Sequence, residues 1–280
     1  MAEQKKIGTE KEMSFLEHLE ELRWRLVKAS ISILVFGIVA FMAKKFIFDI
    51  ILFGPRKSDF ITYRGFCWLS HQIGMGDKLC MGDVAISVQN IDMSGQFSTH
   101  IMVSVISGII MAFPYILYQM WAFLKPGLKA KERESSRGVV FYSSTLFFIG
   151  VLFGYYIIAP LSLQFLGSYR VSDAVISSIQ LNSYISTLVS ITLSTGLVFQ
   201  LPILVFFFTK IGLITPEFLK QYRKHALVAV LILAAIITPP DITSQILVSL
   251  PIMVLYELSI IISRRVIKKQ AEEEAEANRN

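Results

Sequence analysis

The stretch "HLEELRWRLVKASISILVFGIVAFM", His18 to Met42, decides the fold class. It opens on charge, with Glu20, Glu21, Arg23, Arg25 and Lys28, and from Ile31 to Phe41 it carries none. About 20 apolar residues in a helix are needed to cross roughly 30 Å of hydrocarbon. With the apolar sequence that follows, this run predicts a first membrane span over about 27–53. The basic residues beside it point to a cytoplasmic end. Yet Glu17, Glu20 and Glu21 share those juxtamembrane turns. Cytoplasmic membrane surfaces are negative and favour basic flanks, so carboxylates there need a reason. One reason is local. Glu20 and Arg23 stand at i,i+3 and Glu21 and Arg25 at i,i+4, so both pairs can form on a solvated helix, at little gain in stability.

The bulk numbers agree with a membrane protein. Apolar residues are 54% of the chain and charged ones 17%, with a mean hydropathy of +0.57. Soluble domains are nearer a quarter charged. The residues before the first apolar run are charged, and no small-residue cleavage site follows it. The run is therefore expected to be a permanent span and not a signal peptide. The two cysteines, Cys67 and Cys80, fall in one polar segment, with no His or Cys neighbour at zinc-ligand spacing. A disulfide is permitted if that segment is extracytoplasmic; two unpaired thiols are the equal alternative.

Six spans are predicted, at about 27–53, 97–124, 139–166, 183–211, 225–238 and 242–263. The fold class is thus an all-α polytopic membrane protein whose last two spans are short. Residues 1–26 form an amphipathic cytoplasmic segment, 54–96 an extracytoplasmic cap loop rich in Gly and aromatics, and 264–280 a charged, irregular cytoplasmic tail. With the N-terminus inside, only Lys44, Lys45, Arg56, Lys57, Arg64, Lys78 and Arg170 of the 27 basic residues fall outside. That bias places both termini in the cytoplasm. The two halves of the chain do not mirror each other, which weakens an inverted-repeat transporter reading.

No HExxH, GxSxG, P-loop or GxGxxG pattern occurs, so neither catalysis nor a cofactor or metal is expected. Nothing points to nucleic acid. Polar groups at membrane depth are the remaining candidates, because each is costly in hydrocarbon. Gln200 lies mid-span four, where helix–helix hydrogen bonding would explain it. Glu257 lies in span six, about a turn and a half from Arg264, where an ion pair or snorkelling would. Asp241 follows Pro239 and Pro240, where capping the next helix would. Span four repeats Ser183, Ser186, Ser190 and Ser194 on one face, suited to close packing or to a wet cavity.

Three motifs then carry a resemblance: "HLEELRWRL", "PYILYQMWAFLKPGL" with "KER", and "ITPPDITSQ". In order and spacing the chain resembles the TatC family, the multispan receptor of twin-arginine protein translocation, from about Phe15 to Arg265. The resemblance implies a signal-peptide surface made by Glu21, Leu22 and Arg23 with Phe123, Pro126, Glu132 and Arg133. Pro114 and Gln119 match motif positions in span two. Glu132, assisted by Glu21, is the carboxylate expected to face the paired arginines. A guanidinium fork matches a carboxylate bidentately and lysine does not. Thr238 and Gln245 match a polar cluster at which TatA/TatB-type single-span subunits dock, and Asp241 and Glu257 match family acids. Gln200 departs from a family glutamate and cannot titrate.

The resemblance further implies self-association in the complex, a bacterial inner-membrane location and export of folded cargo on the proton motive force. The alternative is a secondary transporter using Gln200, Asp241 and Glu257 as its solute site.

Overall fold

The structure, a computed structural model, describes residues 15–57, 59–80, 87–124, 138–169, 172, 178–238 and 242–277. It is helical nearly throughout. Among the described residues, five helical stretches are long and apolar enough to cross a membrane: Leu16–Met42, Gly95–Leu124, Val139–Ser168, Leu181–Lys210 and Gln245–Glu272. In hydrocarbon every backbone polar group must be satisfied within the protein, so apolar runs of this length become helices.

Helix α1 (Phe15–Met42) packs chiefly against α3 (Gly95–Leu124). The two backbones nearly touch. A Cβ at Gly108 would lie 2.7 Å from the Ile33 carbonyl oxygen and 2.8 Å from the Gly37 nitrogen. Small residues at a crossing allow such an approach. His100 Nε2 donates to the Phe41 carbonyl at 3.1 Å and its ring stacks on that of Phe41. The rest of α1 is bare, with Leu34, Val35 and Ile38 about half exposed. An apolar face of this kind suits a lipid solvent.

Beyond α1 the chain widens into a π-helical turn, Phe46–Leu52. Its end is held by tyrosines from distant elements. Tyr155 Oη donates to Ile51 O at 2.6 Å, and Tyr184 Oη to Leu52 O at 2.9 Å. Helix α2 (Ile61–Gln72) lies in the expected cap segment. Its Tyr63 Oη donates to Pro55 O at 2.8 Å, with Pro160 O at 3.3 Å. Burial pushes the Tyr63 phenol up to about 12. A short parallel pair, β1 (Val88–Gln89) and β2 (Ile179–Gln180), ties the segment preceding α3 to the one preceding Leu181. Cys67 and Cys80 are joined in a disulfide, which closes the alternative left open by the sequence.

The third span is α4 (Val139–Phe153), a π turn at Gly154–Ile158, and α5 (Ala159–Ser168). The fourth is α6 (Leu181–Val198) and α7 (Leu201–Lys210), interrupted at Phe199–Gln200. Pro202 disfavours helical continuity there, since its ring clashes with the preceding turn. The Ser183, Ser186, Ser190 and Ser194 stripe of α6 is not buried, with Ser183 and Ser190 exposed. The buried hydroxyls are Thr192 and Thr195 on other sides of the helix, which donate to carbonyls one turn back, Leu188 O and Ile191 O, both at 2.7 Å. Gly154 sits against them, with its Cβ position 3.1 Å from Thr192 Cα and from the Thr195 side chain. The close-packing surface of α6 is thus the threonine side and not the serine stripe. Phe147, Ile158, Tyr184, Ile185, Leu188 and Ile191 form the centre of the core.

Helix α8 (Pro216–Gln221) opens on Thr215, whose Oγ1 accepts from Phe218 N at 3.2 Å. Helix α9 (Arg223–Ile237) has 15 residues, about 22 Å at 1.5 Å per residue, as short as the sequence predicts. Helix α10 (Ile242–Ala277) differs from expectation. It contains the predicted span and continues to Ala277, so the segment read as an irregular tail is helical. Ala, Glu, Lys and Gln are strong helix formers, and Lys268 pairs with Glu272 one turn on at 3.7 Å.

Candidate functional site

The predicted recognition segment is split by helical geometry between two faces of α1. His18, Glu21 and Arg25 lie three and four residues apart and so share a stripe. That stripe faces α3. Arg25 Nε donates to Glu21 Oε1 at 2.9 Å, its Nη2 donates to the same oxygen, and its Nη1 reaches Gln119 Oε1 at 3.4 Å. Gln119 is buried near the C-terminal end of α3. One turn away, the His18 ring stacks on Phe123 with centroids 4.3 Å apart. Arg23 lies on another face, and Leu22 at the edge between the two. They line an open furrow on α1 with Leu19, Leu26 and Leu34. Pro114 lies inside α3, about two and a half turns before Phe123. Pro126, Glu132 and Arg133 fall outside the described residues.

The Glu21–Arg25 pair is more than a solvated one, because each side chain is only 23% exposed. Arg25 engages one carboxylate oxygen alone. The other, Glu21 Oε2, is buried and has no hydrogen-bond partner among the described residues. A buried acceptor left unmet costs about 1–3 kcal/mol, more if charged. The site therefore holds an anionic oxygen that would gain from a donor brought to it. Arg25 as the link between α1 and Gln119 was not singled out in the sequence, nor was the His18–Phe123 stack. The 18–21–25 spacing was the available signal.

The membrane-depth polar residues do not converge. Gln200 Nε2 donates to Ser143 O at 3.1 Å and so joins α4 to the break before α7. Glu257 pairs with Arg223 Nη2 at 2.7 Å, and not with Arg264. Its partner comes from the start of α9, which packs on α10. Thr238 Oγ1 donates to Ala234 O at 2.9 Å, and Gln245 Nε2 to Leu231 O at 3.1 Å. The first closes the end of α9 and the second joins α10 to α9. Asp241 lies outside the described residues. Gln200 and Glu257 are thus spent on different helix pairs, contrary to a shared solute site.

In the cap, Cys67, His71, Asp77 and Cys80 bring one donor atom each within 4.8 Å of one another. This corrects the expectation that neither cysteine has a metal-ligating neighbour. His71 follows Cys67 by one helical turn, and the chain then folds back.

The family model for the Sec-independent protein translocase protein (TatC) matches residues 17–251. The Sec-independent protein translocase protein TatC of Blattabacterium sp. subsp. Periplaneta americana is 43% identical over 92% of this chain and 98% of its own length. TatCy of Bacillus subtilis is 33% identical over 96% and 95%. A crystal structure of the twin arginine translocase receptor TatC in DDM covers 88% of this chain and 99% of its own, with a TM-score of 0.70 at 31% identity. A second one has a TM-score of 0.67 at 29% identity, covering 90% of this chain and all of its own. A model match over most of the chain, relatives matched almost end to end, and the same helical architecture together show that the chain belongs to the TatC family, as a multi-pass membrane subunit of the Sec-independent protein translocase.

Proposed function

We propose that this subunit is the signal receptor and core of the translocase, and that its Glu21 surface binds the paired arginines of cargo signal peptides. One observation carries the reading: Glu21 Oε2 is a buried acceptor lacking a donor among the described residues, beside an Arg25–Gln119 strut that fixes the carboxylate in place. A signal-peptide guanidinium would supply that donor, and Glu132 would take the second arginine. Arg23 and Leu22, on the outward furrow, would contact the peptide flanks. Phe123, Pro126 and Arg133 would line the same surface, with Pro114 shaping α3 above it.

The surface lies on the cytoplasmic side of a bacterial inner membrane, with six crossings and both termini inside. Thr238 and Gln245 mark the docking place of single-span TatA/TatB-type partners. Gln245 spends its amide nitrogen within the fold and offers its oxygen as an acceptor. Copies self-associate in the complex. The subunit catalyses no reaction, and transport draws on the proton motive force.

The test is photo-crosslinking in membranes with an Arg-Arg signal peptide and a matched Lys-Lys peptide. The receptors compared are wild type, Glu21→Gln and Glu132→Ala. A hydrogen bond to a charged group is worth about 1.5–3 kcal/mol, so the Arg-Arg yield at limiting peptide should fall roughly tenfold or more in each variant. Equal labelling by both peptides, unchanged in both variants, would show that the carboxylates are only a solvated helix face.

A further inference from the structure

The cap contains a donor cluster that the proposed receptor reading leaves unused. Cys67 and His71 are one turn apart on α2 and face the same way. Past Gln72 the chain reverses through Gly74 (φ +77) and Gly76 (φ +61), left-handed positions that favour glycine. The reversal is held by Ser70 Oγ, which donates to Gly76 O at 2.6 Å, and by Met75 N, which donates to Ser70 O at 3.0 Å. It returns Asp77 and Cys80 to the end of α2.

We propose that, with both thiols reduced, Cys67, His71, Asp77 and Cys80 form a site for a borderline-soft divalent cation such as zinc, so that metal and disulfide are alternative staples for this turn. Two thiolates, an imidazole and a carboxylate are a zinc donor set. Tetrahedral zinc, with bonds of about 2.3 Å to sulfur and about 2.0 Å to nitrogen, sets sulfur and nitrogen ligands about 3.6 Å apart and two sulfurs about 3.8 Å apart. His71 Nδ1 already stands 3.9 Å from each sulfur. Asp77 Oδ1 stands 3.7 Å from Cys80 Sγ and 3.2 Å from His71 Nε2. The one large adjustment is parting of the two sulfurs.

The two ring nitrogens differ in the partner each would keep. With Nε2 as ligand, Nδ1 keeps Cys67 O at 2.8 Å as the outer support that orients a ligating histidine; with Nδ1 as ligand, Asp77 leaves Nε2 to water and turns to the ion. Asp77 is 87% exposed, so its carboxylate can turn inward and the ion can enter from water.

Metal entry displaces two thiol protons and moves no electrons. Exchange with an external disulfide instead removes two electrons from the pair. It reduces that disulfide to its dithiol, joins Cys67 to Cys80 and removes both sulfur ligands. The two states are therefore exclusive.

The test uses the full chain purified in detergent, either oxidised or reduced with a phosphine that is then removed under anaerobic conditions. Cobalt(II) is the probe. The reduced protein should bind one equivalent, show a thiolate-to-cobalt charge-transfer band and lose it to zinc. The oxidised protein and a Cys67→Ser/Cys80→Ser variant should show no band. His71→Ala retains both thiols, and recovery of its Cys67–Cys80 linkage on oxidation reports that the turn still folds. It should bind on the order of tenfold or more weakly, with a smaller loss for Asp77→Ala. Reduced wild type binding no better than the double serine variant would overturn the proposal. So would binding undiminished in both His71→Ala and Asp77→Ala.

Discussion

Replacing Gly108 by alanine probes the joint on which the proposed recognition surface depends. Gly108 meets α1 backbone to backbone. The added methyl would lie 2.7 Å from Ile33 O, 2.8 Å from Gly37 N and 2.9 Å from Gly37 Cα, whereas ordinary contact begins at 3.4 Å. The helices must therefore part by about 0.7 Å, and neither neighbour is a side chain that can turn away. Overpacking of this kind costs about 1–3 kcal/mol. Helix propensity works the other way, favouring alanine by about 1 kcal/mol. The matched control is Gly65→Ala in α2, where nothing lies within 4 Å of the new methyl. Because α1 has little packing besides α3, the strain falls on the contacts it shares with α3, including Arg25 to Gln119. Thermal unfolding of the purified protein in detergent should show Gly108→Ala melting below wild type and Gly65→Ala at or above it. Arg-Arg peptide crosslinking should fall in the first alone. If Gly108→Ala melts with wild type and labels as well, the close approach of α1 and α3 does not exist as described and the argument fails.

Other perturbations have definite signs. Tyr63→Phe removes hydrogen bonds to two prolyl carbonyls and should cost about 1–2 kcal/mol, read from urea or thermal unfolding. The raised Tyr63 pKa also sets a pH window. The unfolded phenol loses its proton near 10 and the folded one near 12, so the unfolded state binds fewer protons between them. Stability should then be flat with respect to this group below pH 10 and fall as pH rises toward 12. Tyr63→Phe should lack that component, and an identical alkaline slope in the variant would refute it. Arg223→Gln breaks the Glu257 pair, but both side chains are nearly half exposed. Such pairs contribute about 1 kcal/mol or less, so melting should shift little; a loss several times larger would show Glu257 held in a far drier site.

Much of this protein is legible in one dimension because a bilayer makes backbone satisfaction a local matter. Runs such as Ile31–Phe41 become helices wherever they are placed, and the short run before Thr238 becomes a short helix. The carboxylates of α1 were legible as candidates for the same reason: charge next to such a run is unusual and visible. The tail was misread because its charge suggested a solvated irregular end, while its Ala, Glu, Lys and Gln content favours helix. Tertiary structure alone decided the partners. Arg25 meets Gln119 across 94 positions of sequence, and Glu257 meets Arg223 instead of the nearer Arg264. Cys67, His71, Asp77 and Cys80 converge only because two glycines turn the chain back. Hydropathy sets where a helix lies along the membrane normal. Which face it turns to a neighbour, and what that face meets, depends on packing between segments remote in the chain, here on a glycine that lets α1 and α3 come into backbone contact.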